Sequence, residues 1–286
     1  MTTAREQPPA RLATGTRIHP TAVIDPQAEL GVDVVVGPYA IVGAGVELGD
    51  RTEVGGGAQI RGLTRVGTEN RVFPQALIGF DPQDLKYHGE ATRLEIGDGN
   101  HFRELCTVHR GTEFGGGVTT IGHCNLFMAY SHVAHDCNVG SNVILVNNAT
   151  LGGHVAVADF ATVGAFSSVH QFCRVGTHAY IGGYSVLTRD VAPFMKTVGM
   201  KPACYGVNRI GLKRRDFEPP SLAALEAAYR LLVRSRLPPN KALERLRETH
   251  QGDPQVAILI DFVASSARGV ILDAPGRGGQ RGGGER

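Results

Sequence analysis

Histidine and aspartate residues that could carry out acid–base chemistry, together with a glycine and a glutamine, are spaced at intervals of 18 residues in this 286-residue chain. His135 is followed 18 residues later by Gly153 and after another 18 by Gln171, and Asp136 precedes His154 by the same interval. In a solenoid with 18 residues per coil, residues spaced in this way lie above one another. The spacing therefore predicts one strip of surface on which these residues converge.

This set of residue types suits general-base catalysis of acyl transfer. A neutral imidazole at His135 can take a proton from a hydroxyl, and a carboxylate at Asp136 can fix the ring tautomer and support its protonated form. The N–H of Gly153 is free of side-chain obstruction and can donate to a developing oxyanion. Cys137 is the only nucleophile beside His135 in this segment, and its place in the repeat points it into the core. The sequence therefore favours direct transfer without an acyl-enzyme.

Two other functions are compatible with a strip rich in histidine. One class of carbonic anhydrase binds zinc through three histidines that converge from adjacent coils and subunits of a similar solenoid. Its His-x-x-x-x-His pair differs from the spacing here, where His132, His135 and Asp136 form His-x-x-His-Asp. The other alternative is a non-catalytic scaffold, since a lone outward histidine is usually only a solvated surface residue. The crowding of polar residues on one strip argues against this alternative.

A six-residue repeat must position these side chains. Every sixth residue from Ile18 to Ile78, and again from Ile121 to Leu187, is aliphatic apart from Phe127. A short run between them adds three further positions, which are Ile96, Phe102 and Val108. Glycine often follows the frame residue and the fifth position is usually small, as tight corners require.

A period of six fits neither an α-helix nor a free alternating strand. It fits a short flat strand plus a corner, so that three hexads close one triangular coil and neighbouring coils pair at the ~4.8 Å strand spacing. Hexapeptide coils of this class wind left-handed. The predicted fold is therefore an all-β solenoid, a left-handed parallel β-helix, followed by a small α-helical C-terminal domain.

The frame also predicts how the chain is divided. We expect a flexible arm over residues 1–15 and the β-helix over residues 16–195. The helical domain should follow over residues 196–272, and a disordered Gly/Arg-rich tail over residues 273–286. Polar segments near residues 80–93 and 110–120 interrupt the frame and should leave the solenoid as loops, which often build a binding face.

Three amphipathic segments predict the helices of the C-terminal domain. They run from Ser221 to Arg236, from Asn240 to His250 and from Asp253 to Gly269. Ser221 is the candidate N-cap of the first, and the Asp253-Pro254 pair opens the last as cap and first turn. We expect this domain to cover the open end of the solenoid.

Composition narrows the classes of function. Lys and Arg number 29 against 27 Asp and Glu, a formal net charge of +2, which argues against a nucleic-acid partner bound through a global basic field. The five cysteines form no CxxC pair, so neither a disulfide framework nor a cysteine-based zinc site is expected. No apolar run approaches the ~20 residues that span a bilayer, and no signal-peptide core is present. We therefore expect a cytoplasmic protein with no transmembrane segment.

Several motifs, in order along the chain, resemble the UDP-N-acetylglucosamine O-acyltransferases of lipid A biosynthesis. The resemblance covers about residues 18–271 and rests on DLKY at 84–87, TVHRGT at 107–112, HVAHDC at 132–137, NNATL at 147–151, VHQF at 169–172 and GLKRR at 211–215. A related N-acyltransferase carries an extra N-terminal uridine-binding domain, whereas this chain enters its coils by residue 18, which favours the O-acyltransferase. The resemblance implies a homotrimer with active sites between subunits, an (R)-3-hydroxyacyl donor on acyl carrier protein, and UDP-N-acetylglucosamine as acceptor. No cofactor or metal is expected.

The resemblance also implies roles for individual residues. His135 would be the general base on the sugar 3-hydroxyl, Asp136 would orient it, and the Gly153 N–H would be the oxyanion donor. The side chains implied to contact the sugar or its reacting groups are Asp84, Lys86, His132 and His154. Those implied to lie toward the nucleotide and phosphates are His170, Gln171, Asn208, Arg214 and Arg215, the two arginines being suited to phosphate oxygens.

Three further positions bear on specificity by the same resemblance. Tyr180 and Gly183 match positions whose side chains close the acyl groove in the family, and the bulk of Tyr180 predicts a groove that ends early. At position 210 isoleucine stands where several members carry an acidic residue. The nucleotide contact made there in those members is therefore not carried over to this chain.

Overall fold

The computed structural model describes residues 11–235, 237–250 and 252–276. These residues form a left-handed parallel β-helix with three sheets, followed by a small helical domain, as the sequence predicted. Most of the expected N-terminal arm and of the expected tail, residues 1–10 and 277–286, lies outside the described residues.

Each sheet runs the length of the solenoid and takes one short strand from each coil. Sheet A contains Arg11–Leu12, Glu29–Leu30, Val46–Leu48, Leu63–Val66, Arg93–Ile96, Val118–Ile121, Asn138–Val139, Ala156–Val157 and Arg174–Val175. Sheet B contains Arg17–Ile18, Val35–Val36, Glu53–Val54, Arg71–Val72, His101–Phe102, Leu126–Phe127, Ile144–Leu145, Thr162–Val163, Tyr180–Ile181, Met195–Val198 and Ala203–Val207. Sheet C contains Val23–Ile24, Ile41–Val42, Gln59–Ile60, Leu77–Phe80, Thr107–His109, His132–Val133, Thr150–Leu151, Ser168–Val169 and Val186–Leu187.

The repeat frame forms the core of the solenoid. All of its positions are buried except Ile18 and Ile24, which lie in the first coils and are half-buried. The predicted placement of Cys137 in this core is confirmed, and Cys106 and Cys173 lie there as well, because the described side chains of all three are buried and free. Burial raises the pKa of Cys106 and Cys137 to about 12, so neither thiol is suited to act as a nucleophile.

The two insertions leave the vertical register intact. Asn100 donates its N–H to Asn70 Oδ1 at 2.9 Å across 30 residues, and Asn125 donates its N–H to Asn100 Oδ1 at 3.0 Å across 25 residues. These buried side chains form an asparagine ladder inside the solenoid, where each amide satisfies the coil above or below it. The extra residues therefore leave as loops between sheets C and A, and the coils on either side stay aligned.

The helical domain begins after two strands that extend sheet B. Residues 203–207 pair antiparallel with 195–198, and the helices then follow as α1 (Arg209–Lys213), α2 (Pro219–Tyr229), α3 (Pro239–Thr249) and α4 (Pro254–Ala264), with a π-helical turn at Arg230–Arg234. The prediction of Ser221 as an N-cap is wrong, because α2 already begins at Pro219, whose ring fixes φ for the first helical turn. The prediction for Asp253 is confirmed, since its carboxylate accepts from the N–H groups of Gln255 and Val256. Within the described ranges, none of the helices is long and apolar enough to cross a membrane.

Candidate active site

His135 and Asp136 occupy the corner between sheets C and A. The Nδ1 atom of His135 lies 2.7 Å from Asp136 Oδ2, and the exposed fractions of the two side chains are only 13% and 1%. Asp136 has a φ of 57°, a left-handed conformation that turns the chain at this corner. The local repeat therefore holds the two side chains side by side, as the spacing predicted.

The second insertion fixes the carboxylate of Asp136. Thr112 donates its N–H to Oδ1 at 2.8 Å and its hydroxyl to Oδ2 at 2.6 Å, while Thr119 Oγ1 accepts the N–H of Asp136 at 2.8 Å. A Cβ atom at Gly115 would lie 2.0 Å from the Asp136 carboxyl carbon, so only glycine fits there. With the contact to His135 Nδ1, the Asp136 carboxylate makes three hydrogen bonds, which hold it and the imidazole bonded to it in one orientation.

Gly153 lies directly above the His135 ring. A Cβ atom at residue 153 would be 2.6 Å from Cε1 and 2.7 Å from Nε2 of His135, so the ring packs against bare backbone. His154, the next residue, donates its N–H to the His135 carbonyl at 3.0 Å, which confirms the predicted stacking of one coil on the next. Among the described residues no group accepts a hydrogen bond from the Gly153 N–H. Both His135 Nε2 and this N–H thus remain available to a substrate.

His154 closes one side of the cluster. Its ring meets the His135 ring edge-on with centroids 5.2 Å apart, and it stacks on Phe172 at 4.3 Å. Burial lowers the pKa of His154, against the attraction of the nearby Asp136 and Asp84 carboxylates. The ring is therefore biased toward its neutral form, in which it can both donate and accept a hydrogen bond.

A second pair of imidazoles lies below this cluster on sheet C. His132 lies on the strand His132–Val133 and not at a corner, and its Nδ1 lies 2.7 Å from Thr107 Oγ1. Its ring meets His109 edge-on at 5.0 Å. Burial lowers the pKa of His132, and it lowers that of His109 to about 4. His109 Nδ1 has no hydrogen-bond partner in the described part of the chain.

His109 should make the protein sensitive to acid. Because its pKa falls from 6.5 to about 4 on folding, the unfolded chain binds the proton more tightly. Its contribution to stability is complete above pH 6.5 and is lost as the pH falls toward 4, roughly 2 kcal/mol by pH 5. His109→Gln should flatten the fall in unfolding free energy between pH 8 and pH 5, measured by urea titration at one protein concentration. A fall as steep as in wild type, or equal flattening in the exposed control His19→Gln, would contradict this assignment.

The first insertion is tied down by Arg110, a buried residue to which the sequence analysis gave no role. Its guanidinium donates to the Gly79 carbonyl, to Asp81 and to Tyr87 Oη, the last at 2.9 Å. In the same loop, Asp84 Oδ1 accepts the Lys86 N–H at 3.0 Å. The loop therefore brings Asp84 near His154, whereas the exposed Lys86 ammonium makes no hydrogen bond or ion pair among the described residues.

The residues expected to bind the nucleotide divide between two faces of the subunit. His170 and Gln171 line a shallow cavity of about 340 Å³ on sheet C together with Gly153. A separate cavity of about 910 Å³ lies on sheet B, and its lining includes Asn208, Arg214, Arg215 and Tyr180. Within one subunit, His170 and Gln171 therefore lie beside the histidine cluster. The other three residues, Asn208, Arg214 and Arg215, do not.

The sheet B cavity has its own supporting contacts. Asn208 caps α1 by accepting the Gly211 N–H and donates to the His178 carbonyl at 3.0 Å, and the Arg215 guanidinium lies 4.3 Å from the centre of the Phe160 ring. Gly183 is not part of this lining, because it lies at the corner between sheets B and C, where a Cβ atom would be 3.2 Å from the Ala165 carbonyl oxygen.

Comparison with known proteins gives matches over nearly the whole chain. The chain is 47% identical over 256 residues to the acyl-(acyl-carrier-protein)–UDP-N-acetylglucosamine O-acyltransferase of Syntrophobacter fumaroxidans, covering 89% of this chain and 99% of that protein. It is 49% identical over 260 residues to the protein of the same name from Burkholderia vietnamiensis, covering 90% and 99%. The chain belongs to the UDP-N-acetylglucosamine O-acyltransferase family.

Three further matches agree with this membership of the O-acyltransferase family. The family model described as "Udp N-acetylglucosamine O-acyltransferase; Domain 2" matches residues 190–271. The solved UDP-N-acetylglucosamine acyltransferase of Francisella novicida is 36% identical, with a TM-score of 0.87 over 91% of this chain and 95% of that one. The O-acyltransferase of Moraxella catarrhalis is 40% identical, with a TM-score of 0.85 over 89% and 99%.

Proposed function

We propose that this chain transfers an (R)-3-hydroxyacyl group from acyl carrier protein to the 3-hydroxyl of UDP-N-acetylglucosamine, the first step of lipid A biosynthesis, in the cytoplasm. The observation that carries the proposal is the His135 ring, which is bonded to Asp136 through Nδ1 and packs against the bare backbone of Gly153. The names of the relatives supply the substrates, and this geometry supplies a means of catalysis.

The reaction follows from the positions of these groups. Nε2 of His135 takes the proton of the sugar 3-hydroxyl as that oxygen attacks the thioester carbonyl carbon. The carbonyl oxygen becomes an oxyanion, which accepts a hydrogen bond from the Gly153 N–H. The tetrahedral intermediate then expels the carrier thiolate, which receives the proton from the imidazolium. Asp136 supports that imidazolium because its carboxylate already faces Nδ1.

The remaining residues of the cluster would hold the sugar. We assign Asp84, Lys86, His132 and His154 to contacts with the glucosamine ring and its reacting groups. Burial keeps the imidazoles of His132 and His154 biased toward neutrality, so they can hydrogen-bond sugar hydroxyls without adding charge beside the base.

The nucleotide site would be shared between subunits of a homotrimer. His170 and Gln171 lie on one face of the subunit, and Asn208, Arg214 and Arg215 lie on another, so a neighbouring copy would complete the site. Exposed aromatic side chains occur at the edge between sheets B and C in four of the coils, at Tyr39, Tyr130, Phe166 and Tyr184, and the last two stack with ring centroids 5.1 Å apart. Exposed aromatic residues along one edge favour packing of copies there, which would set sheet C of one against sheet B of the next.

We assign Tyr180 and Gly183 to limiting the length of the acyl group, although only Tyr180 lines the sheet B cavity. The Tyr180 side chain lies there with Lys196 Nζ 6.0 Å from the centre of its ring. Tyr180→Ala should shift kcat/KM toward longer donors by roughly tenfold, the scale of one or two methylenes in an apolar pocket. The measurement is a donor series of increasing acyl length, with Tyr205→Ala, a half-exposed tyrosine outside that lining, as control. An unchanged length preference in Tyr180→Ala would remove this assignment.

A zinc-dependent hydratase is the second candidate, because His135, Asp136 and His154 place potential ligand atoms within 4.8 Å of one another. However, His135 Nδ1 and Asp136 Oδ2 are only 2.7 Å apart, a hydrogen-bond distance. Two ligands of one tetrahedral zinc ion lie about 3.3 Å apart, given metal–ligand distances near 2.0–2.2 Å. This geometry supports proton transfer over metal binding.

The deciding experiment is a product analysis with purified protein. UDP-N-acetylglucosamine, or its 3-amino analogue, is incubated with hydroxyacyl carrier protein, and mass spectrometry locates the acyl group. We expect an ester at the sugar 3-position. No transfer to either acceptor would refute the proposal, transfer to the amine alone would correct the acceptor, and stoichiometric zinc with chelator-sensitive carbon dioxide hydration would support the second candidate.

A further inference from the structure

The segment after α4 is clamped to the last coil of the solenoid beside the candidate site. Asp190 donates its N–H to the Gly269 carbonyl and accepts the Ile271 N–H, both at 2.9 Å. Its side chain is 2% exposed, and the carboxylate accepts from the Ser266 hydroxyl at 2.8 Å and from Arg174 Nε at 3.0 Å. These contacts hold the chain on both sides of residue 268, through the Ser266 side chain before it and the backbone of Gly269 and Ile271 after it.

Arg268 projects from this clamped segment toward the cavity on sheet C. Its guanidinium lies 3.4 Å from His170 Nδ1 and 3.5 Å from the Thr188 carbonyl. His170 and Thr188 both line the cavity that also contains Gly153 and Gln171. The cation is therefore placed at the rim of the cavity in which the reacting carbonyl would sit.

Arg268 is exposed and forms no salt bridge within the described part of the chain, unlike the two arginines nearest to it in the clamp. Arg174 is paired with Asp190, and Arg189 is paired with Asp273. The contacts of Arg268 with His170 and Thr188 lie at the long end of the hydrogen-bond range, so most of its N–H donors are available to a ligand. A guanidinium held by fixed backbone, and not by a carboxylate, is suited to bind phosphate oxygens.

We propose that Arg268 binds a phosphate group of a substrate, which adds a phosphate subsite to the proposed active site and rests on the proposed function. Two sources of phosphate would come near this cavity in the proposed reaction. One is the diphosphate of the sugar nucleotide, and the other is the phosphodiester of the pantetheine arm that carries the acyl group. Both present anionic oxygens of the same kind, so the experiment must tell them apart.

The test measures binding of three probes to the full-length protein by calorimetry: UDP-N-acetylglucosamine, acyl-4′-phosphopantetheine and the same acyl-pantetheine without phosphate. Arg268→Gln should weaken either the first or the second roughly tenfold and leave the phosphate-free probe unchanged, because only a charge-assisted hydrogen bond is lost. Loss for the first probe identifies the nucleotide as the source, and loss for the second identifies the carrier. Arg268→Lys should recover part of the affinity.

The control is Arg247→Gln, which removes an exposed arginine of α3 and should leave all three affinities within about twofold of wild type. Unchanged binding of both phosphate probes by Arg268→Gln, or equal weakening of the phosphate-free probe, would overturn the subsite. Failure of the wild-type protein to transfer any acyl group would instead count against the proposed function, so the two results are distinguishable.

Discussion

Replacing His135 by alanine is expected to lower kcat by roughly 10²–10⁴-fold, the contribution typical of a general base. The Nε2 atom of His135 is the basic nitrogen that faces the Gly153 backbone, and its other nitrogen is held 2.7 Å from Asp136. Since a base acts mainly in the transition state, KM should change far less than kcat. Steady-state kinetics with the carrier-bound donor provide both constants.

Two controls make this result specific to His135. His19→Ala removes an exposed histidine of the first coils and should retain wild-type turnover. Size-exclusion chromatography should show the same oligomeric state for His135→Ala as for wild type. Near-normal turnover in a correctly folded His135→Ala protein would exclude this residue as the base.

Asp136→Asn should reduce kcat by a similar factor, although it changes only one atom of the side chain. The Thr112 N–H at 2.8 Å from Oδ1 requires an acceptor there, so the amide NH₂ of the variant would take the place of Oδ2. That group would donate to His135 Nδ1 and favour the tautomer with its proton on Nε2. The ring could then no longer accept the substrate proton, and about 10⁴-fold is lost when the orienting aspartate of a catalytic triad is changed in the same way.

Thr112→Val provides the matched comparison for Asp136→Asn. It removes the hydroxyl that donates to Asp136 Oδ2 at 2.6 Å but leaves the carboxylate facing His135, so kcat should fall much less than in Asp136→Asn. Thermal unfolding reports whether each variant folds. If a folded Asp136→Asn protein kept turnover within about threefold of wild type, tautomer control by this carboxylate would be refuted.

The fold and the centre of the candidate site were predictable from sequence because one coil has a fixed length. Eighteen residues separate His135 from Gly153, and the structure places the bare backbone of Gly153 against the His135 ring. The spacing of the histidines, which differs from that of the zinc-binding carbonic anhydrases, is also visible in the sequence.

The residues that the sequence analysis missed lie where that spacing is interrupted. Thr107 aligns with His132 across 25 residues and not 18, so the contact between His109 and His132 was hidden by the second insertion. The same insertion supplies Thr112 to Asp136, and the first is tied down by Arg110. A loop has no repeat from which its contacts can be inferred.

The helical domain shows the same limit. Apolar stripes indicated its helices, but Asn208, Arg214 and Arg215 were assigned only by resemblance, because outside the solenoid no register relates them to the histidines. Arg268 was not singled out at all, since its position depends on the clamp at Asp190, which joins residues about 80 positions apart in sequence. Tertiary contacts of this kind leave no local pattern.

The most direct test of the catalytic centre is a crystal structure with the acylated sugar nucleotide bound. We expect the sugar 3-oxygen within about 3 Å of His135 Nε2 and the acyl carbonyl oxygen within about 3 Å of the Gly153 nitrogen. A product whose 3-oxygen lies on another face of the solenoid, or more than about 6 Å from His135 Nε2, would contradict general-base transfer at this corner.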